Sequence, residues 1–152
     1  STTTAKCGTA AGTSCQTSFL SDAGSALDYM GLGAGRAATA AIVARHEAGG
    51  VTKASYAAGV ADAYTTATAS DWFLPSRDEL NEVCKYARNT GQEVGASTNC
   101  FGGTLRTDFA AEDYWSSSEY SASDSCVLGF YNGHQYTQVK DATVWVRPVR
   151  AF

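Results

Sequence analysis

Asp71-Trp72-Phe73-Leu74-Pro75-Ser76-Arg77-Asp78-Glu79-Leu80 packs an apolar block, a helix stop and a helix start into one run. Trp72, Phe73 and Leu74 have the character of a strand or buried turn, and Trp72 and Trp115 are the tryptophans this reading assigns to the core. Pro75 biases Leu74 away from helical dihedrals, so no helix runs through it. Ser76 followed three residues later by Glu79 has capping-box spacing, in which each side chain satisfies an orphan backbone N–H. From there Leu80, Val83, Cys84 and Ala87 recur on one helical face. Asp78, Glu79 and Glu82 sit near the start of that helix, and Lys85 and Arg88 near its end, as its macrodipole favours. Asn89-Thr90-Gly91 supplies the stop.

Upstream, Gly31-Leu32-Gly33-Ala34-Gly35-Arg36 has neither the third-glycine spacing nor the preceding apolar strand of a dinucleotide fingerprint. It reads as a glycine-rich turn into a helix capped by Thr39, carrying Ile42, Val43 and His46 and ended by Gly49-Gly50. His46 has no partner at metal-ligand spacing, so it reads as a surface or helix-end residue. A further helix opens at Thr52 or Lys53, with Tyr56, Val60, Ala63 and Tyr64 on one side.

Downstream the pattern turns to short β segments. Tyr114 to Glu119 reads as a strand and Cys126 to Tyr131 as a second, with Phe130 inward and Tyr131 outward by alternation. Asn132-Gly133 is a hairpin-turn signal, His134 to Val139 the returning arm, and Val144 to Arg150 the last strand, with Pro148 at an edge or bulge. Helices first and an antiparallel meander after give an α+β class.

The 152 residues form one domain by length, and the net charge of −4 offers no basic stripe for nucleic acid. The same balance argues against an anionic membrane surface, and no apolar run approaches the length of a spanning helix. Cys7 and Cys15 bracket a small-residue loop that a bridge would staple, Cys84 and Cys100 form a second candidate pair, and Cys126 is left over. That pattern favours an oxidising compartment; the alternative is free thiols in a cytosolic protein.

Trp72-Phe73-Leu74-Pro75-Ser76 with Asp78-Glu79-Leu80, then Tyr114-Trp115-Ser116-Ser117-Ser118-Glu119, then Val146-Arg147-Pro148-Val149-Arg150-Ala151-Phe152, together resemble a bacterial surface family. It is the family of the C-terminal domain of the Legionella collagen-like adhesin, and the resemblance covers residues 28–152. The segment Gly33 to Ala44 is similar to the family's glycine-rich lead into its first helix. The resemblance implies a C-type-lectin-like fold, two or three helices packed on small twisted antiparallel sheets. It also implies secretion or surface display, or a place at a phage virion tip, and a ligand-binding role. Adhesins of this kind are trimeric through a stalk and bind sulfated polysaccharide; related domains form phage tail tips and retroelement-diversified variable proteins. This chain departs from the family where Cys126 stands at a position commonly aromatic, and where a small-residue segment precedes residue 28, the family's glycine-rich strand being missing, further upstream or replaced.

The expected layout is a single lectin-like domain: an irregular excursion over 1–27, a helical half over 28–110, and a β-rich, ligand-presenting half over 111–152. On that last half, Tyr120, Asp124, Tyr131, His134, Tyr136, Gln138 and Trp145 are the expected ligand-binding residues, since tyrosine and tryptophan join flat apolar area to a hydrogen-bonding edge. The partner would be a glycan or a cell-surface protein, with no nucleic acid and no membrane insertion. No cofactor is expected; Glu119 and Asp124 leave a structural calcium open. No catalytic residue is named. Arg147 and Arg150 have the chemistry to bind an anionic ligand, but pairing with Glu119 or Asp113 is the role expected of them. Two other readings stay open: a structural subunit or cap of a surface filament, and a cysteine-dependent enzyme built on Cys126 and His134.

Overall fold

The computed structural model describes residues 3–5, 29–95, 99–121 and 123–151. Its elements are strand β1 (Thr3–Ala5), helices α1 (Gly35–Ala48), α2 (Ala57–Asp62) and α3 (Arg77–Arg88), and strands β2 (Asp113–Glu119), β3 (Asp124–Gly129), β4 (Gln135–Val139) and β5 (Val144–Val146). Among the described residues no helix is long and apolar enough to cross a membrane.

α3 forms as its local chemistry dictates. Glu79 N donates to Ser76 Oγ (3.2 Å) and Ser76 N donates to Glu79 Oε2 (2.8 Å), the two halves of a capping box. Leu80, Cys84 and Ala87 are buried, and Asn89 ends the helix in the left-handed region at φ 52°.

The capping box is also a junction. Gly33 N donates to Glu79 Oε1 (2.9 Å), Ser76 Oγ to Gly31 O (2.8 Å), and Asp78 N to Met30 O (3.0 Å), so the glycine-rich turn wraps the start of α3. From the sheet, Ser117 N donates to Pro75 O (2.7 Å), while Ser118 Oγ accepts from Arg77 N and donates to Tyr29 O, both at 2.8 Å. Phe73 and Val149 exchange two backbone hydrogen bonds of 2.9 Å. The stretch from Asp71 to Leu80 thus receives the glycine turn, the central sheet and the last strand segment at once.

Three helical expectations change. α1 starts at Gly35, not at Thr39; the Thr39 hydroxyl is buried inside the helix and both donates to Leu74 O (3.1 Å) and accepts from Leu74 N (3.0 Å). The next helical piece is broken. A 3₁₀ turn, Lys53–Ser55, gives way at Tyr56, whose extended backbone (φ −145°, ψ 153°) drives its ring into the core before α2 begins. His46 lies in the last turn of α1, at the helix end as expected, but not at the surface: it is fully buried, stacked on Tyr56 at 3.9 Å, with Nδ1 bonded to Ile42 O at 2.9 Å.

The strands make one open mixed sheet in the order β1-β5-β2-β3-β4, giving an α+β architecture. β2/β3, β3/β4 and β1/β5 are antiparallel, but β5 runs parallel to β2 through Tyr114↔Trp145. The expected antiparallel meander therefore stops at β4. β5 returns beside β2 because Val144 and Val146 bury their side chains with Trp115 and Val127, and because β2 offers its free edge. The segment expected to be an irregular excursion supplies β1, which pairs Thr3 with Val146.

Both faces of the central strands are covered. Trp115, Val127, Val144 and Val146 meet Val43 of α1, Tyr56, and Ala57 and Ala61 of α2. Tyr114 and Leu128 meet Leu80, Cys84 and Ala87 of α3 together with Phe109 and Phe130. Strands buried on both sides read as continuous rather than alternating runs, as β2 and β3 do. At the far end of the sheet Lys140 reaches the carboxylate of Glu119, both side chains buried.

Candidate recognition surfaces

The β3–β4 turn forms a tip held from the side by α3. Cys84 on α3 is disulfide-bonded to Cys100, with Cα atoms 5.9 Å apart. Cys100 N donates to Gly133 O (3.1 Å) and Gln135 N to Asn99 Oδ1 (3.0 Å), so the disulfide loop lies against the turn. Gly133 has φ 81°, and a β-carbon there would stand 2.5 Å from Cys100 O, so only glycine suits this turn. Arg88 Nη1 donates to Phe130 O (2.8 Å), a second tie from α3. The pair Cys7 and Cys15 lies outside the described residues.

On this tip Tyr131 is 50% exposed, and His134, also exposed, meets Phe101 edge-on at 4.6 Å. Phe130 is buried, so the inward/outward alternation holds. Tyr136 is half-buried behind the tip. Burial, with Asp113 and Tyr131 beside it, pushes its phenol well above the usual tyrosine range.

The structure does not bring all the predicted residues together. Tyr120 and Asp124 lie at the opposite end of the hairpin, where Asp124 pairs with Val139. The register from Asp124 to Leu128 separates the two ends by about 13 Å of strand rise. Asp124 accepts from Ser123 Oγ (2.6 Å) and Ser121 Oγ (2.8 Å), and these bonds hold its carboxyl below the usual aspartate value. Gln138 pairs opposite Ser125 on the α1/α2 side of the sheet, whereas Trp145 is half-buried on the α3 side, 6.2 Å from Tyr114. Among the described residues no group of three or more His, Cys, Asp or Glu is placed to hold a metal ion; Glu119 is engaged by Lys140. Cys126 pairs opposite Thr137, three residues along from His134, and burial pushes its thiol up, away from the reactive thiolate.

A second surface escaped the sequence reading. Trp72 is half-buried rather than core: Phe73 and Leu74 take the interior, and Trp72 faces a groove of about 620 Å³ between α3 and the last strand segment. Tyr64 meets it edge-on at 5.1 Å. Val83 and Tyr86 of α3, with Phe109, Arg147 and Pro148, form the other walls. Arg147 does not pair with Asp113 or Glu119; its guanidinium lies 4.2 Å above the Phe109 ring. Arg150 pairs with Asp71 at 3.1 Å. The signal that could have located this groove is the i, i+4 spacing of Glu82 and Tyr86 on the outer face of α3, which the apolar inner face overshadowed.

A family model described as Lcl C-terminal domain matches residues 12–150 of the chain, reaching further toward the start than the motif resemblance did. No curated protein and no solved structure matches it.

Proposed function

From the premise that this chain belongs to the Lcl C-terminal domain family, we propose that it is an adhesin-like surface domain that recognises an extracellular ligand. It works as a binding module, not as a catalyst. The observation that carries this reading is the tip: exposed Tyr131, His134 and Phe101 mounted on a turn fixed by the Cys84–Cys100 disulfide. Flat aromatic groups locked before the encounter lose little freedom on binding, which favours affinity for a glycan ring or a protein surface. A buried, unreactive Cys126 with His134 elsewhere supports binding over cysteine catalysis. The disulfide also supports an oxidising, extracytoplasmic location.

The fold we assign to this module is C-type-lectin-like. The supporting features are the antiparallel pairing of the first and last strands and the helices on both faces of the sheet. In this reading glycan-array or cell-surface binding falls on Tyr131→Ala and His134→Ala while the melting temperature stays within a few degrees. Binding undiminished in both variants would reject the tip as the ligand face.

A further inference from the structure

The groove beside Trp72 continues in both directions. It shares Thr66, Thr68, Ala69 and Arg150 with a depression of about 420 Å³ along the loop over residues 66–71. It shares Glu82 and Tyr86 with another of about 280 Å³ that runs to Gln92 and Val94 beyond the end of α3. The result is one continuous cleft along the outer face of α3, with Tyr86, 60% exposed, as a ridge in its floor.

We propose that this cleft is a second binding site, distinct from the tip, that takes an extended acidic peptide. An apolar side chain seats among Trp72, Tyr86 and Phe109, and a carboxylate of the peptide meets Arg147.

The charges of the cleft point to this occupant. The molecule as a whole carries −4, yet the acids along the cleft are neutralised: Glu82 by Lys85 (2.8 Å), Asp71 by Arg150 (3.1 Å) and Arg36 (3.4 Å). Arg147 and Arg106, by contrast, have no carboxylate partner among the described residues. Each lies over an aromatic ring, Arg147 over Phe109 at 4.2 Å and Arg106 over Tyr86 at 4.3 Å. Arg106 spends its edge on Tyr86 O (2.8 Å) and Asn89 Oδ1 (3.3 Å), whereas the stacked Arg147 guanidinium keeps its edge for a carboxylate fork. The walls exclude a sugar chain as the better ligand. Apolar groups dominate them, and Glu82 is already engaged by Lys85 and by Gly95 N (3.1 Å), so most ring hydroxyls would lose water without gaining a partner. A peptide needs only an apolar anchor and a nearby acid. The cleft is also longer than one side chain, so the ligand is extended.

The test uses the whole chain with two octapeptide libraries labelled with fluorescein. In one, a Trp, Tyr or Pro is flanked by aspartates; in its twin, lysines replace the aspartates. Anisotropy should show binding of acidic members and weakening of roughly tenfold or more in the lysine twins. Tyr86→Ala and Arg147→Gln should each weaken the acidic peptides roughly tenfold, whereas Tyr131→Ala should leave them unchanged. In a ¹H–¹⁵N spectrum the Trp72 indole signal should move on titration and that of buried Trp115 should not. The site is overturned by any of three results: no peptide binding at millimolar concentration, binding indifferent to both cleft variants, or binding of oligogalacturonate in preference to the acidic library. Loss of peptide binding in Tyr131→Ala would overturn it too, by moving the peptide to the tip.

Discussion

Gly35 and Glu79 compete for one space: a β-carbon on Gly35 would fall within the Glu79 carboxylate, and would stand 2.6 Å from Ser76 N and 2.9 Å from Leu74 O. The first turn of α1 is thus pressed directly onto the capping box of α3. Gly35→Ala should destabilise the protein by about 1–3 kcal/mol in urea unfolding, as overpacking does. Truncating Glu79 in the same chain should not restore stability, because the backbone of Ser76 and Leu74 blocks the β-carbon as well. Rescue by Gly35→Ala/Glu79→Ala would show that the carboxylate alone sets the contact.

Ser76→Ala removes a cap and takes from Gly31 O the shorter of its two hydrogen bonds, leaving that from Ala34 N, in one step. A loss of about 1–2 kcal/mol is expected, at the upper end of cap deletions. Amide exchange should speed up first in the turn of α3 and in the glycine loop, rather than in β3.

Lys140 is 1% exposed and engages the buried carboxylate of Glu119. Lys140→Met alone removes the cation that engages that buried carboxylate and should destabilise by about 3–5 kcal/mol. The pair Glu119→Leu/Lys140→Met should recover most of the loss, since buried ion pairs contribute little beyond what packing does. A double variant as unstable as the single would mean the pair is irreplaceable.

Asp124 has a definite pH signature. Its folded carboxyl lies below the usual 3.8, held there by Ser123 and Ser121. A depressed carboxylate stabilises the fold fully above its unfolded value, and that stability is lost as pH falls through the lower folded one. Carbon-detected titration should place Asp124 below 3.8, and Ser121→Ala/Ser123→Ala should raise it. An Asp124 shift unmoved by that double change would point to another cause.

Opening the Cys84–Cys100 bridge, which spans a sequence separation of 16, should lower stability by about 3 kcal/mol on the chain-entropy account. Cys84→Ala/Cys100→Ala should loosen the tip more than the sheet, visible as broadened His134 and Phe101 resonances with β2 and β3 unaffected.

What the sequence disclosed follows from how local each cause is. Ser76 and Glu79 lie three residues apart and specify a cap by themselves, and Asn132-Gly133 specifies its turn in the same way. β5 is different. Val144 and Val146 advertise a strand, but the partner they bury against, Trp115, lies about thirty residues upstream, and nothing local says that the pairing with β2 is parallel. Thr39 looked like a cap because its hydroxyl suits one; Leu74, distant in sequence, claimed it for its own backbone. The surfaces divide similarly. Tyr131 was placed outward by alternation, whereas the cleft is walled by residues from four separate segments, and Trp72 joins it only because Phe73 and Leu74 fill the interior first.

The tie between α3 and the hairpin turn has a mechanical consequence. A pull applied at Tyr131 or His134 is shared: the β3–β4 ladder takes part of it, and the hydrogen bonds from the turn to Cys100, Asn99 and Arg88 carry the rest to α3, directly and through the Cys84–Cys100 bond. From α3 the load spreads to the glycine turn, to Ser117 and Ser118 of β2 and to Val149, three anchors that would have to shear together. The ties of the turn, backed by the bridge, thus add a shearing load path beside the peeling one.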